Sequence, residues 1–255
     1  RKNSFNLKKV INKLKQIAIK FTPLRIQKYY FNHQRFKKTR YLTSKDIFTE
    51  IYFQNAWGKP ETSEELFFSG PGSHNEDVVS TYVNAILNFL ISFDKKLDAV
   101  DLGCGEFGVG SKIRKYFNND TACDVVEPLV DFNRGKYKAL FVDFLVLDII
   151  KDDLPSGDIV FIRQVLQHLS NKQISEIVNK LTNRYKYIII TEHLPLNYSF
   201  KANKDKPPGS NTRLDVRSGV VLTLPPFNLK VQSESILCQA SEGDGIIQTK
   251  AYQMY

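Results

Sequence analysis

Hydrophobic positions along this chain change their period near residue 97. Before that point they recur every three or four residues. Within Phe5 to Phe21, Leu7, Val10, Ile11, Leu14, Ile17, Ala18 and Phe21 fall on one side of a helix with lysines between them, the pattern of a basic amphipathic helix. Thr43-Ser-Lys-Asp46 has the form of a capping box, and it opens a helix whose Ile47, Phe48, Ile51 and Tyr52 share a face before Asn55-Ala-Trp-Gly58 ends it. Ser69-Gly-Pro-Gly-Ser73 reads as a tight loop. Ser73-His-Asn-Glu76 reads as a second capping box, leading a helix with Val78, Val79, Tyr82, Val83, Ile86, Leu87 and Leu90 at helical spacing.

From Leu97 onward short apolar runs alternate with helical stretches, as a parallel sheet covered on both faces requires. Strands are expected at Ala99 to Leu102, Ala122 to Val126, either Ala139 to Val142 or Phe144 to Leu147, Asp158 to Ile162, and Tyr187 to Thr191. Val231 to Gln239 and Ile246 to Met254 resemble the antiparallel pair that closes such a sheet, and His193 to Arg217 reads as a long loop. The fold class is therefore α/β: a Rossmann-like seven-stranded, mostly parallel sheet with helices on both faces, plus an N-terminal helical extension. The expected organisation is a basic amphipathic helical arm at 1–45, a helical cap at 46–96 and the core at 97–255.

Charge sharpens this division. Residues 1–45 hold 14 Lys or Arg and no acid, which leaves 22 basic against 27 acidic residues in the remainder. The formal charge of +9 therefore belongs to the arm. A polybasic helix gains electrostatic energy beside phosphates, so an anionic membrane surface is a candidate partner and nucleic acid a weaker one; the competing role is packing on the core or on a second copy in a homo-oligomer. No apolar run approaches the ~20 residues needed to cross a bilayer. Cys104, Cys123 and Cys238 lack paired spacing, which fits a reducing cytoplasm, with peripheral attachment to the inner membrane through the arm as a variant.

The chemistry concentrates in Val100-Asp-Leu-Gly-Cys-Gly-Glu-Phe-Gly108, which follows the first strand and precedes a helical stretch. Gly103 and Gly105 let the backbone turn and approach a ligand where no side chain fits. Alone, Gly103-x-Gly105-x-x-Gly108 also satisfies the dinucleotide fingerprint. Three acids at successive strand ends separate the two readings. Asp101 stands where a cationic amino group of a sulfonium cofactor can be met, Asp124 where ribose hydroxyls can be accepted, with Glu127 as its rival, and Asp148 where an adenine amino group can donate.

On these residues Val100 to Gly105 resembles motif I of class I S-adenosylmethionine-dependent methyltransferases, Cys123-Asp-Val-Val126 their second motif, and Asp158-Ile-Val-Phe-Ile-Arg-Gln-Val-Leu-Gln-His-Leu169 their fourth-strand segment. The resemblance spans about residues 97–192 and implies S-adenosylmethionine as cofactor, bound by Asp101, Gly103, Gly105, Asp124, Asp148 and Gln164. Ile51-Tyr52, Trp57-Gly58, Ser69 to Ser73 and Arg163 to His168 resemble, more narrowly, an uncharacterised bacterial branch associated with polysaccharide biosynthesis. Phe107 and Glu127-Pro128-Leu129 depart from the commoner pattern.

Methyl transfer is an in-line displacement in which alignment and exclusion of water do much of the work, and a base helps where the acceptor is a weakly acidic hydroxyl. His193 and Glu192, ending the fifth strand, and His168, one helical turn after Gln164, are the candidate catalytic residues. His168 packed beneath the cofactor is the alternative for that residue. Trp57 and the Gly70 to Gly72 loop are placed to close over the site, with a core role the alternative for Trp57; Arg163 can meet an anionic acceptor or a nearby carboxylate, and Arg213 and Arg217 either hold an anionic acceptor or are plain surface arginines. Glu192, His193 and Asp148 hold donors for magnesium, but no ligand spacing supports a metal site. The reading is O-methylation of a glycan precursor or small metabolite. Its rivals are an RNA methyltransferase, a non-catalytic cofactor-binding module attached through its arm, and a nicotinamide-dependent dehydrogenase.

Overall fold

The computed structural model of the protein describes residues 42–60, 65–197 and 199–255, and Thr43–Tyr255 form one compact unit. The amphipathic stretch Phe5 to Phe21 and the arm through Tyr41 lie outside the described residues.

Helix α1 (Ser44–Phe53) starts as its capping box predicts: the Thr43 hydroxyl accepts the Asp46 N–H at 3.2 Å and the Asp46 carboxylate accepts the Thr43 N–H at 2.9 Å. The second predicted start is displaced. Pro71, favoured at a first helical position, begins a single turn, α2 (Pro71–His74), so Ser73 already lies inside it. Asn75 caps α3 (Glu76–Leu90) instead, accepting the Asp77 and Val78 N–H groups at 3.1 and 3.3 Å.

The core runs β1 (Ala99–Leu102), α4 (Gly108–Ile113), β2 (Asp120–Asp124), α5 (Glu127–Lys136), β3 (Asp143–Val146), β4 (Ile159–Arg163), α6 (Asn171–Leu181), β5 (Tyr187–Pro195), β6 (Ser233–Glu242) and β7 (Gly245–Gln253). They form the expected seven-stranded sheet in the order β3-β2-β1-β4-β5-β7-β6, with β7 running antiparallel to the other six strands. A dinucleotide-binding sheet of order 3-2-1-4-5-6 lacks that inserted strand. The order reverses between β1 and β4, which opens a crevice at their carboxyl ends.

Period-two alternation fixes the two layers. Val100, Leu102, Val160, Ile162, Ile188 and Ile190 pack on α6 through Ile174, Ile177, Val178 and Leu181. Ala99, Ile159, Phe161 and Ile189 pack on the other side against Val79, Tyr82 and Ile86 of α3 and Val109 and Ile113 of α4. Helix α3 is thus part of the layer covering the sheet. Strand β5 continues to Pro195, four residues past the expected end at Thr191, because β7 pairs with it as far as Gly245. The following connection is packed rather than loose: buried Asn203 donates to the carbonyls of Val221 and Pro225, each at 2.9 Å, and accepts the Val221 N–H at 2.9 Å.

Candidate active site

The turn leaving β1 is shaped by missing side chains. Gly103 and Gly105 have φ of 81° and 56°, and a Cβ on either would lie 2.5 Å from Val165 or from the Ser69 hydroxyl. Gly108 is different, since a Cβ there would come no closer than 3.8 Å to a neighbour. The tight position inside α4 is Gly110, whose Cβ would sit 2.4 Å from the ring of Phe107. Phe107, 1% exposed and with φ of 60°, caps α4 and sets its ring edge-on to Phe144 at 5.0 Å and Tyr137 at 5.4 Å. The departure at Phe107 therefore moves the constraint from the third fingerprint glycine to Gly110.

Asp124 locks this turn to β2. Its carboxylate accepts the Gly105 N–H at 3.2 Å and the Val126 N–H at 3.0 Å, while Asn133 donates to the Gly105 carbonyl at 2.7 Å. Glu127 lies at the surface, 2.7 Å from Lys45, and makes no such contact with the turn.

A cavity of roughly 250 Å³ occupies the crevice, and Asp101, Gly103, Gly105, Asp124, Asp148, Gln164, His168 and His193 all line it. Burial pushes the Asp101 carboxyl up to about 8, with Asp120 adding to the shift and Arg163 opposing it. Burial likewise raises Asp120 to about 7 against Arg114, and Asp124 to about 6 against its backbone hydrogen bonds. Asp148 accepts the Ile150 N–H at 3.0 Å and shapes the turn beyond β3.

Residues 69–75 form a strap over the cavity. The Ser69 hydroxyl sits between the Tyr52 hydroxyl, at 2.8 Å, and the Glu106 carboxylate. His74 Nε2 lies 3.1 Å from the other Glu106 oxygen. Arg163 donates to the Ser73 hydroxyl at 3.0 Å and the Gly72 carbonyl at 2.6 Å. The Gln164 amide fills the space a Cβ on Gly72 would need, 2.6 Å away, with its Nε2 buried and without a hydrogen-bond partner. Asn75 donates to the Glu242 side chain at 2.7 Å. The strap thus reaches the ends of β1, β4 and β6. Glu106, Ser69 and His74 have no local spacing signal, because Glu106 meets Ser69 and His74 across 37 and 32 residues of chain.

The three catalytic candidates separate. On β5, His193 shares the side of Ile189 and reaches the cavity, whereas Glu192 shares the side of Ile188 and Ile190 and does not. Glu192 as a proton acceptor for a bound hydroxyl is therefore corrected: strand pleat turns it away. His193 Nε2 faces the Glu242 carbonyl at 2.9 Å and so must donate, leaving Nδ1 as the acceptor nitrogen; burial lowers its pKa. His168 lines the cavity but both ring nitrogens are occupied, Nδ1 donating to the Gly209 carbonyl at 3.2 Å and Nε2 accepting from Gln167 at 3.2 Å. Burial lowers its pKa to about 3. His168 is thereby a neutral wall residue, with the Trp57 ring 4.9 Å away and Trp57 itself fixed to the Ser210 carbonyl at 2.9 Å.

Glu192, His193 and Asp148 do not converge, and among the described residues no cluster of three His, Cys, Asp or Glu could hold a metal ion. Arg213 and Arg217 do not converge either. Arg213 is fully buried and donates to the Leu169 carbonyl at 2.7 Å, while Arg217 is exposed. Among the described residues no helix is long and apolar enough to cross a membrane.

No family model and no curated protein matches the sequence. Solved structures share its fold. Magnesium protoporphyrin IX methyltransferase from Synechocystis, solved with bound S-adenosylmethionine, is 13% identical with a TM-score of 0.53, covering 83% of this chain and 98% of that one. An S-adenosylmethionine-dependent methyltransferase from Leishmania major is 16% identical with a TM-score of 0.50, over 70% of this chain and 73% of its own. The N-methyltransferase NodS from Bradyrhizobium japonicum, solved with S-adenosylhomocysteine, is 11% identical with a TM-score of 0.50, over 69% of this chain and 86% of its own. At these identities the likeness is one of fold.

Proposed function

We propose that this chain is an S-adenosylmethionine-dependent methyltransferase that methylates an oxygen of a small hydroxylated acceptor, with glycan precursors the first class to screen. The observation that carries the reading is the convergence of Asp101, Gly103, Gly105, Asp124 and Asp148 on one cavity at the sheet's reversal point. The residues fit the cofactor: two glycines hold space that any Cβ would fill, and the buried Gln164 Nε2 is a donor lacking an acceptor. Asp124 would hold its ribose, Asp148 its adenine and Asp101 its amino group. Bound there, S-adenosylmethionine supplies an electrophilic methyl group on a sulfonium.

The chain's own residues do the rest. The strap and the Trp57 wall exclude water and orient the acceptor. His193 Nδ1 takes the hydroxyl proton, and a pKa lowered by burial keeps the ring neutral and ready to accept it at neutral pH. The glycan assignment is supported by the sequence resemblance of residues 51–58, 69–73 and 163–168. The unopposed basic residues of 1–45 support attachment to an anionic membrane surface; salt-sensitive binding to anionic liposomes tests this, and equally tight, salt-sensitive binding to RNA would favour the RNA-methylating alternative.

Titration calorimetry with S-adenosylmethionine, S-adenosylhomocysteine and NAD tests the cofactor. Micromolar binding of the first two, weakened about 100-fold in Asp124→Ala by the loss of two charge-assisted hydrogen bonds, is expected. Binding of NAD alone would overturn the reading.

A further inference from the structure

The turn after β4 carries the polar cavity-wall residues Gln164, Gln167 and His168, yet it holds no glycine. Gln164 has φ of 57°, a conformation that costs a non-glycine residue about 1–2 kcal/mol. Leu166–His168 then makes one short turn whose first N–H groups and last carbonyls need partners from elsewhere. Those partners come from behind the sheet. Glu192 accepts the Leu166 N–H at 3.1 Å, and Arg213 donates to the Leu169 carbonyl at 2.7 Å. Both are buried, at 2% and 0% exposure.

Two buried ionisable groups are expensive to keep charged, and here each sits at the end of the turn that its chemistry can satisfy. Burial raises the Glu192 carboxyl to about 8, while Arg213, the Leu166 and Gln167 N–H groups and Lys206 pull it back. Burial lowers the Arg213 pKa, with Glu192 and Asp205 opposing. From the turn, Gln167 passes the constraint on. Its Nε2 donates to His168, and its Oε1 accepts the His193 N–H at 3.2 Å.

We propose that Glu192 and Arg213 are a positioning pair, acting from the far face of β5 through the Leu166–His168 turn to set His168, Gln167 and His193 in the cavity wall. Its consequence for catalysis rests on the methyl-transfer reading above; its structural core does not.

Trp57 is the only tryptophan of the chain and sits against His168, so its emission reports the turn without any ligand. Glu192→Gln keeps the volume and the acceptor oxygen, and is expected to leave Trp57 emission, the His168 ring nitrogen resonances and the S-adenosylhomocysteine Kd within about twofold of the parent. Glu192→Ala is expected to shift both spectroscopic signals and to weaken S-adenosylhomocysteine binding about tenfold, the scale of one net hydrogen bond. Gln167→Met, which leaves Glu192 and Arg213 in place, should give the same shifts and keeps the test open if Glu192→Ala does not fold. Glu192→Gln behaving like Glu192→Ala would overturn the proposal by making the ionisable carboxyl itself essential. So would a lowered melting point in Glu192→Ala with both signals unmoved, which is a merely structural contribution. A parent protein that binds neither S-adenosyl compound while the spectroscopic pattern holds would remove the methyltransferase reading and leave the pair standing.

Discussion

The turns leaving β1 and β4 stand side by side at the carboxyl edge of the sheet and face one cavity, but they are built by opposite means. The β1 turn bends because atoms are absent: Gly103 and Gly105 make room for Val165 and Ser69. The β4 turn bends because partners are present, with Glu192 and Arg213 holding its two ends from behind. A turn of the first kind fails when atoms are added. A turn of the second kind fails when they are taken away.

The largest effect should come from His193, the proposed base, whose backbone N–H is held by Gln167 of the second turn. His193→Ala is expected to lower turnover by about 10²–10⁴ while S-adenosylhomocysteine binding stays within about threefold of the parent; a loss of affinity instead would make His193 part of the binding wall. Next, Gly105→Ala should weaken that binding by about 100-fold or more, since its Cβ meets Ser69 at 2.5 Å in a left-handed backbone costing about 1–2 kcal/mol before any clash. Unchanged calorimetry would show that the strap yields freely. Gly110→Ala should cost about 1–3 kcal/mol in denaturant unfolding by overpacking Phe107, whereas Gly108→Ala, whose Cβ would make only an ordinary 3.8 Å contact, should lie within about 0.5 kcal/mol of neutral.

Proton linkage compares the same regions. Burial raises Asp101 and Asp124 at the first turn and Glu192 at the second, to about 8, 6 and 8. A raised carboxyl binds its proton more tightly in the folded chain, so its contribution is full below the unfolded pKa of about 4 and lost as pH rises through the folded value. The melting temperature of the ligand-free protein should therefore fall between pH 5 and pH 8.5, and Asp101→Asn and Glu192→Gln should each flatten the fall. If only one does, only that turn titrates.

The same contrast explains what could be read from the sequence. The β1 turn was legible because glycine spacing after an apolar strand is local, and Ala99 to Leu102 is placed there residue for residue. The acids at 101, 124 and 148 were legible as strand ends. Glu192 was not, because β5 was expected to stop at Thr191; once the strand runs to Pro195, its period of two sends 192 and 193 to opposite faces. Arg213 reads as a surface arginine in a polar loop, and nothing local marks it as buried beneath a carbonyl 44 residues earlier. Asn75 displaced Ser73 as a helix cap because Pro71 had already begun a turn, a competition between two valid signals two residues apart.

The strap is fastened at one end by the bond between Asn75 and Glu242, which are 167 residues apart in the chain. During synthesis the strap therefore exists long before its last anchor does, and non-local closures of this kind come late in folding. The tie to Glu242 needs the final hairpin in place, so one fastening of the cavity's roof depends on the last two strands of the chain.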